Sequence, residues 1–408
     1  MSSDHKDIGR ELKLFSFDEQ VPGVVYWWPK GWTLLNLIKN DLIRFLLKDG
    51  YSEVNTARVI STDTLKESGH FDNYHEKLFF VGNEKELTKP KWCLKPMSCP
   101  GMLKIFKEEI HSYKELPIKL AEFGSVYRYE QAGEVNGLLR VRNMTQDDAH
   151  VYCSEEQIEA EIEKLIEFVY ETYKRYGFKE VRVELSTRPE KSIGTDEQWE
   201  KAENGLKKAL EAMKIEYTVN TGDGAFYGPK IDFHIKDHLG RSWQMGTIKL
   251  DFSMAERLDA NYIDKDGNKK HPIMIHRAIF GSLERFIAVL LESTAGALPS
   301  WLAPMQAVIC PVSDKHNEYA AKISKELIDN NIRVEVDDRN ESVGRKIRDA
   351  EMQKVPFIIV VGDKEIEAKN ISVRERGSKP ARNASQSDAG GDLENLSINE
   401  FIKKLTVD

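Results

Sequence analysis

Residues 123–150, FGSVYRYEQAGEVNGLLRVRNMTQDDAH, concentrate groups that hold anions and polar ligands. Arg128-x-Glu130 sets a guanidinium and a carboxylate two residues apart, and Arg140 and Arg142 follow. On an alternating strand such a pair shares one face. The face could then grip a phosphate through the planar Arg fork and a polar base edge through the carboxylate. A solvated hairpin with a salt bridge explains a lone Arg-x-Glu more simply. Here the run continues into Gln146-Asp147-Asp148-Ala149-His150, which adds acceptors and an imidazole.

Three further residues carry ligand chemistry. Cys99 lies in Lys95-Pro96-Met97-Ser98-Cys99-Pro100-Gly101, His150 ends the acidic run, and His276 lies in Met274-Ile275-His276-Arg277. One thiolate with two imidazoles suits a transition metal. Their separations match no local zinc-finger spacing, so the residues alone leave a shared metal and three packed side chains both open. His70, in Ser68-Gly69-His70-Phe71, is an imidazole that could move a proton near neutral pH.

The elements that must carry these groups read as follows. Residues 123–130 and 138–144 have strand character around a polar, Gly-containing loop, predicting a hairpin. Apolar residues recur near every 3.6 positions over 32–47 and 155–176, predicting helices. Ser154 and Gln157 form a capping-box pattern at the start of the second helix. Strands are expected at 51–60, 181–185, 217–219, 231–235, 242–251 and 274–275, and helices at 98–107, 195–213 and 282–292. Clustered strands with helices laid across them imply an antiparallel sheet. Beyond Pro299 the rhythm becomes strand (307–310), helix (318–330), strand (333–336), helix (342–354) and strand (357–361). That is a βαβ pattern with parallel pairing. We therefore expect two domains, 1–300 and 304–408, with residues 378–392 as a mobile loop.

Composition excludes several classes. The chain has 408 residues, 40% hydrophobic and 31% charged, with a net charge of −8. This is ordinary globular composition. The acidic balance argues against a nonspecific nucleic-acid binder, and no DNA partner is expected. Cys93, Cys99, Cys153 and Cys310 are too few and scattered for a disulfide framework. The charged start MSSDHKDIGRELKLF lacks an apolar leader, and no apolar run reaches about 18 residues. A cytoplasmic chain with no membrane partner is expected.

Five long segments resemble one family. They are KPMSCPG (95–101), the hairpin with TQDDAH (145–150), LSTRPEKSIGTDEQW (185–199), GAFYGPKIDF (224–233) and MIHRAIFGSLERF (274–286). All are similar to class II aminoacyl-tRNA synthetases, and within them to the threonyl-tRNA synthetase family, over essentially the whole chain. The resemblance implies an α+β fold, a class II synthetase core (antiparallel sheet flanked by helices) followed by a smaller α/β anticodon-binding domain. It implies ATP-dependent ligation of threonine to tRNA(Thr) through a threonyl-adenylate, by a homodimer. It also implies one Zn2+ on Cys99, His150 and His276, reading the threonine amine and hydroxyl, with Met97, Gln146, Asp148 and Tyr227 lining that pocket. For ATP with Mg2+ it implies Arg128 on the α-phosphate, Glu130 on the adenine amine, Arg285 on the γ-phosphate, and Arg140, Met144, Gln244 and Thr247 around them. His70 corresponds to a histidine linked to transfer onto tRNA. Asn340, Glu365 and Arg374 correspond to anticodon contacts.

Several positions depart from the family pattern. Ala57 stands where a proline usually shapes the dimer interface. Asn143-Met144 replaces the usual glycine and adenine-stacking ring, and Lys249 stands where glutamine is common. The N-terminal region that edits mischarged seryl-tRNA in most bacterial members has no counterpart in this sequence, so no editing in cis is expected.

Overall fold

The computed structural model describes residues 4–237, 239–377 and 393–406. The stretch expected to be a mobile loop, 378–392, lies outside the described residues. The chain forms two compact units, 17–25 with 39–290, and 1–16 with 26–38 and 291–408. Among the described residues no helix is long and apolar enough to cross a membrane.

The larger unit is built on an eight-stranded sheet. From one edge its strands are Tyr217–Asn220, Val181–Ser186, Lys230–Lys236, Ser242–Asp251, Ile273–Ala278, Asn143–Cys153, Ile118–Tyr127 and Ser52–Glu53. The pairings are antiparallel except at the two edges, where Tyr217–Asn220 and Ser52–Glu53 run parallel to their neighbours. The helix Ile158–Arg175 buries Ile162, Leu165, Ile166, Val169 and Tyr173 as its apolar stripe. Ser154 and Gln157 make the expected reciprocal cap ahead of it, and Thr195 with Gln198 does the same for the helix Asp196–Ala212. Tyr173 locks helix to sheet. Its hydroxyl donates to the Ile279 carbonyl (2.7 Å) and accepts from the Gly246 amide (2.8 Å).

Two expected elements differ. The strand expected over 51–60 is broken into Ser52–Glu53 and Val59–Ser61. Between them Thr56 turns its amide and hydroxyl onto Glu122 at 2.8 and 2.9 Å, so a side chain replaces the strand ladder. The hairpin is longer and shifted: Ile118–Tyr127 pairs with Asn143–Cys153, from Tyr127↔Asn143 to Ile118↔Tyr152. Arg128, Glu130 and Arg140 therefore sit in the connecting loop rather than on strand faces.

The smaller unit carries a five-stranded sheet in the order Val334–Val336, Ala307–Pro311, Phe357–Val361, Ile371–Glu375 and Glu394–Leu396. The first three are parallel, as the βαβ pattern requires, and the last two join antiparallel. Ile309, Ile359, Ile323, Leu327 and Phe401 form its core with the helices Asn317–Asp329 and Ile398–Thr406. The N-terminal helix His5–Glu11, unforeseen from sequence, also belongs to this unit. Asp4 caps it through the Lys6 amide (2.7 Å), and buried His5 contacts Glu292 at 2.8 Å. A cavity of about 440 Å3 in this unit is lined by Lys13, Lys30, Asp337, Arg339 and Asp349. Arg339 pairs there with Asp337 (2.6 Å) and Asp349 (3.0 Å), so those charges are met locally.

Candidate active site

The strand Asn143–Cys153 organises the site through its two-residue period. Met144, Gln146, Asp148 and His150 share one face. The odd residue Asp147 turns the other way, accepting from the Ile279 amide (2.6 Å) and the Phe280 amide (3.0 Å) and pairing with Arg277. Antiparallel register then sets His276 directly across from His150, and Lys249 across from His276. Cys99 arrives from outside the sheet as the first residue of the helix Cys99–Lys107.

The donor atoms of Cys99, His150 and His276 lie within 4.8 Å of one another, and all three residues are buried. His276 Nε2 lies 3.2 Å from Asp251 Oδ2, and His150 Nδ1 lies 2.9 Å from Met102 Sδ. With those nitrogens as donors, His276 Nδ1 and His150 Nε2 are bare, and both are buried without a partner. Two orphaned acceptors beside a thiol are an expensive arrangement in a closed core. A metal ion would satisfy all three, and the Asp251–His276 contact is the carboxylate–imidazole support typical of metal ligands. Burial, reinforced by neighbouring His276, holds the His150 pKa well below its usual value, so this imidazole is neutral as a ligand must be. Burial pushes the Cys99 thiol up, with Asp148 adding to it. A cation is needed to draw that proton off.

The residues expected to line an amino-acid pocket are placed as follows. Tyr227 is buried with its ring 4.8 Å from His276. Met97 packs in the same apolar cluster as Cys99 and Tyr227. Asp148 Oδ1 stands 3.9 Å from His150 Nδ1, and burial raises its pKa, with His276 opposing. Gln146 bridges to Ser282, just before the helix Leu283–Thr294.

At the other end of the face, arginines gather. Arg285 Nε donates to the Leu139 carbonyl (2.9 Å) and Nη1 to the Gln244 carbonyl (3.1 Å). Its pKa is lowered by burial, then by Arg140 and Arg128 nearby. Arg128 Nε donates to the Pro96 carbonyl (3.2 Å), and its guanidinium lies over the Tyr74 ring. Glu130 is buried and takes Lys77 at 2.9 Å, with Arg140 at 3.8 Å. Three guanidinium groups close enough to repel one another suit a polyanion. Thr247 has a buried hydroxyl without a partner, and Gln244 Nε2 donates to Asp232 at 2.5 Å. Met144 packs with Val126 and Val141.

His70 lies near but is fully buried. Its Nδ1 contacts Ser68 Oγ (2.9 Å), Nε2 has no partner, and Phe226 and Tyr227 flank it with ring centroids at 5.1 and 6.1 Å. Burial lowers its pKa to about 3, with His276 adding to the effect. In the smaller unit, Asn340 is exposed. Glu365 accepts from the Gly362 amide (2.8 Å) and the Ser372 hydroxyl (2.7 Å), and Arg374 pairs with Glu351 (2.8 Å).

Sequence reasoning missed four supports. Asp251 orients His276, and Lys77 meets Glu130. Glu284 accepts from the Thr145 amide at 2.9 and 3.0 Å, tying the central strand to the Arg285 helix. The Lys95–Glu122 pair (2.7 Å) fixes the segment leading to Cys99. Asp251 alone left a signal, sharing strand parity with Thr247 and Lys249.

The family described as tRNA synthetase class II core domain (G, H, P, S and T) matches residues 82–294, and that described as anticodon binding domain matches 306–407. The threonine–tRNA ligases of Clostridium tetani (strain Massachusetts / E88) and Caldanaerobacter subterraneus subsp. tengcongensis are each 47% identical to this chain over 402 residues. These matches cover 98% of this chain and 60% of each relative, so the chain spans about 60% of their length. Among solved structures, that of the RNA binding domain of threonyl-tRNA synthetase from Cryptosporidium parvum Iowa II superimposes with a TM-score of 0.92. It is 39% identical, over 99% of this chain and 98% of that one. Prolyl-tRNA synthetase from Cryptosporidium parvum, complexed with L-proline and AMP, shares the fold at a TM-score of 0.72 and 16% identity. It covers 98% of this chain and 73% of its own.

Proposed function

The chain belongs to the threonyl-tRNA synthetase family of class II aminoacyl-tRNA synthetases, and from that premise we propose that it ligates threonine to tRNA(Thr) through a threonyl-adenylate. One observation carries the choice of amino acid. A buried thiol and two bare imidazole nitrogens converge at one end of a strand face whose other end meets a cluster of arginines.

Cys99, His150 and His276 would hold one zinc ion. Three protein ligands leave a position open, and the ion would supply a Lewis-acidic seat for the threonine amine and hydroxyl. Asp148 accepts the hydrogen of that hydroxyl, and Met97, Gln146 and Tyr227 shape the pocket. Valine has threonine's shape without the hydroxyl, so a site built around the hydroxyl rejects it by roughly 10^4-fold or more. Serine keeps both polar groups, and the lost methyl is worth only about 1–3 kcal/mol.

Arg128 holds the α-phosphate, Arg285 the γ-phosphate, and Glu130 accepts from the adenine amine. Met144 packs on the purine, with Arg140, Gln244 and Thr247 as further contacts, and Mg2+ accompanies the phosphates. A threonine carboxylate oxygen attacks the α-phosphorus in line, and the bond to the β-phosphate oxygen breaks, releasing pyrophosphate. Positioning and charge stabilisation by the arginines provide the acceleration. In the second step a hydroxyl of the 3′-terminal ribose attacks the acyl carbon, the acyl–oxygen bond to the phosphate breaks, and AMP leaves with its phosphate taking up the hydroxyl proton. With a pKa of about 3, His70 is too weak a base to take that proton at neutral pH. It acts instead as a neutral group that orients the reactants.

The catalytic domain is taken as 1–300 and the anticodon-binding domain as 304–408. In the latter, Asn340, Glu365 and Arg374 read single-stranded base edges. Glu365 and Arg374 exchange their internal partners for the bases. Two copies form a homodimer, with exposed Ala57 in the place of the family proline.

Amino-acid-dependent pyrophosphate exchange tests the reading. Chelator-sensitive exchange with threonine, weaker with serine and absent with valine and proline, is expected. Proline-dependent exchange, or none with threonine, refutes it.

A further inference from the structure

Lys249 stands out on the site face because its charge is unmatched. Its Nζ reaches the Tyr227 hydroxyl at 3.5 Å. Among the described residues no carboxylate lies within 4 Å of it. By register its neighbours are Lys230 on one strand and His276 on the other. Two nearby acids are committed elsewhere. Asp232 takes Lys230 at 2.5 Å and Gln244 at 2.5 Å. Asp251 takes His276 and, through Oδ1, the Ser253 and Met254 amides at 2.7 and 3.0 Å. Burial lowers the Lys249 pKa, and Lys230 and Arg128 add to that, with Cys99 and Asp232 opposing. Lys249 therefore stands beside the metal-ligand cluster with Arg128 and Asp148 in electrostatic reach, and among the described residues no acid pairs with it. An ammonium in a half-buried pocket with no counter-charge is costly unless a ligand supplies one.

The proposed reaction dictates which anion arrives. With the amine and hydroxyl of threonine turned to Cys99, His150 and His276, and the α-phosphate at Arg128, the reacting carboxylate must lie between them. We infer that Lys249 is a specificity-determining contact that binds the carboxylate of the amino acid, and afterwards the acyl-phosphate oxygens of the adenylate. This inference rests on the threonine reading above. It adds to it a charge-based test for a carboxylic acid, which the amine- and hydroxyl-reading cluster cannot make. Glutamine, common in the family at this position, would offer a hydrogen bond without the charge.

Threonine and threoninol separate the two parts of the site, because threoninol keeps the amine and the secondary hydroxyl and has no carboxylate. Calorimetric titration of the full, zinc-loaded chain with each ligand is the experiment, on wild type, Lys249→Gln and Lys249→Arg. Loss of a charge-assisted contact predicts roughly tenfold or greater weakening of threonine by Lys249→Gln, with threoninol changed less than about twofold, the latter also reporting an intact fold. Lys249→Arg should restore part of the threonine affinity. Parallel weakening of both ligands would assign Lys249 a packing role and overturn the inference. So would unchanged threonine affinity in Lys249→Gln. Wild-type protein that binds neither ligand would instead refute the threonine reading, and this inference with it.

Discussion

Lys95→Met should cost the larger unit about 3–5 kcal/mol, the range for stranding one partner of a buried ion pair. Lys95 Nζ lies 2.7 Å from Glu122 Oε1 and 2.6 Å from Thr56 Oγ1, and the two charged side chains are 2% and 1% exposed. After the substitution Glu122 keeps the Thr56 amide and hydroxyl as donors, which places the cost toward the lower end of the range. At about 1.4 kcal/mol per tenfold, 3 kcal/mol corresponds to roughly two decades in the opening equilibrium. Lys95→Met/Glu122→Gln removes both charges and should come within about 1 kcal/mol of wild type, because a neutral buried pair leaves no uncompensated ion. Hydrogen exchange of the strand Ile118–Tyr127, followed by mass spectrometry, reads the opening locally. The site should feel the change too. The Lys95 amide donates to the Arg58 carbonyl (2.8 Å) and its carbonyl accepts from the Tyr127 amide (2.9 Å), so a loosened segment misplaces Met97 and Cys99 and raises KM for threonine. A single variant within 1 kcal/mol of wild type, or a double variant no better than the single, would refute this reasoning.

Three further outcomes follow from the geometry. Asp251→Asn keeps a cap acceptor for the Ser253 and Met254 amides but removes the charge beside His276, so zinc affinity should fall roughly 10- to 100-fold; competition with a chromophoric chelator measures it, and unchanged affinity contradicts the role. His70 has a folded pKa of about 3 against 6.5 when free, so the unfolded chain binds a proton that the folded chain refuses. Its contribution to stability is whole above about pH 6.5 and is lost as pH falls toward 3. His70→Asn should flatten the stability–pH curve in that window by up to one proton, and an unchanged slope would contradict the burial argument. Arg128→Ala should lower kcat for pyrophosphate exchange by roughly 10^2- to 10^3-fold with a smaller change in KM for threonine. A KM effect alone would mean that Arg128 binds but does not stabilise the transition state.

The readability of the chain was uneven for physical reasons. The helix at 158–175 was legible because its apolar stripe and its capping box at Ser154/Gln157 are written locally. The alternation of strand and helix after Pro299 likewise gave the parallel core of the smaller unit. The central hairpin was misplaced because Gln146-Asp147-Asp148-Ala149-His150 looks like a loop by propensity. It is a strand in the middle of a sheet, where function puts polar side chains on one face and buried amides hold Asp147 on the other. Arg128 and Glu130, read as strand neighbours, lie past the end of the ladder. Cys99, His150 and His276 could be grouped only by resemblance, since their approach depends on cross-strand register over long separations. The Asp251–His276 contact and the Lys95–Glu122 pair were hidden for the same reason, Asp251 showing only its strand parity. Each needs a partner 25 to 27 positions away, and no local pattern announces it.

The most direct test of the central claim is zinc-edge X-ray absorption on the purified chain, with and without amino acids. The account expects one zinc per chain, with one sulfur at about 2.3 Å and two imidazole nitrogens at about 2.0–2.1 Å. Threonine should add nitrogen and oxygen scattering to that shell, and valine should not. A chain that binds no zinc, a shell without one sulfur and two imidazoles, or a spectrum indifferent to threonine would contradict it.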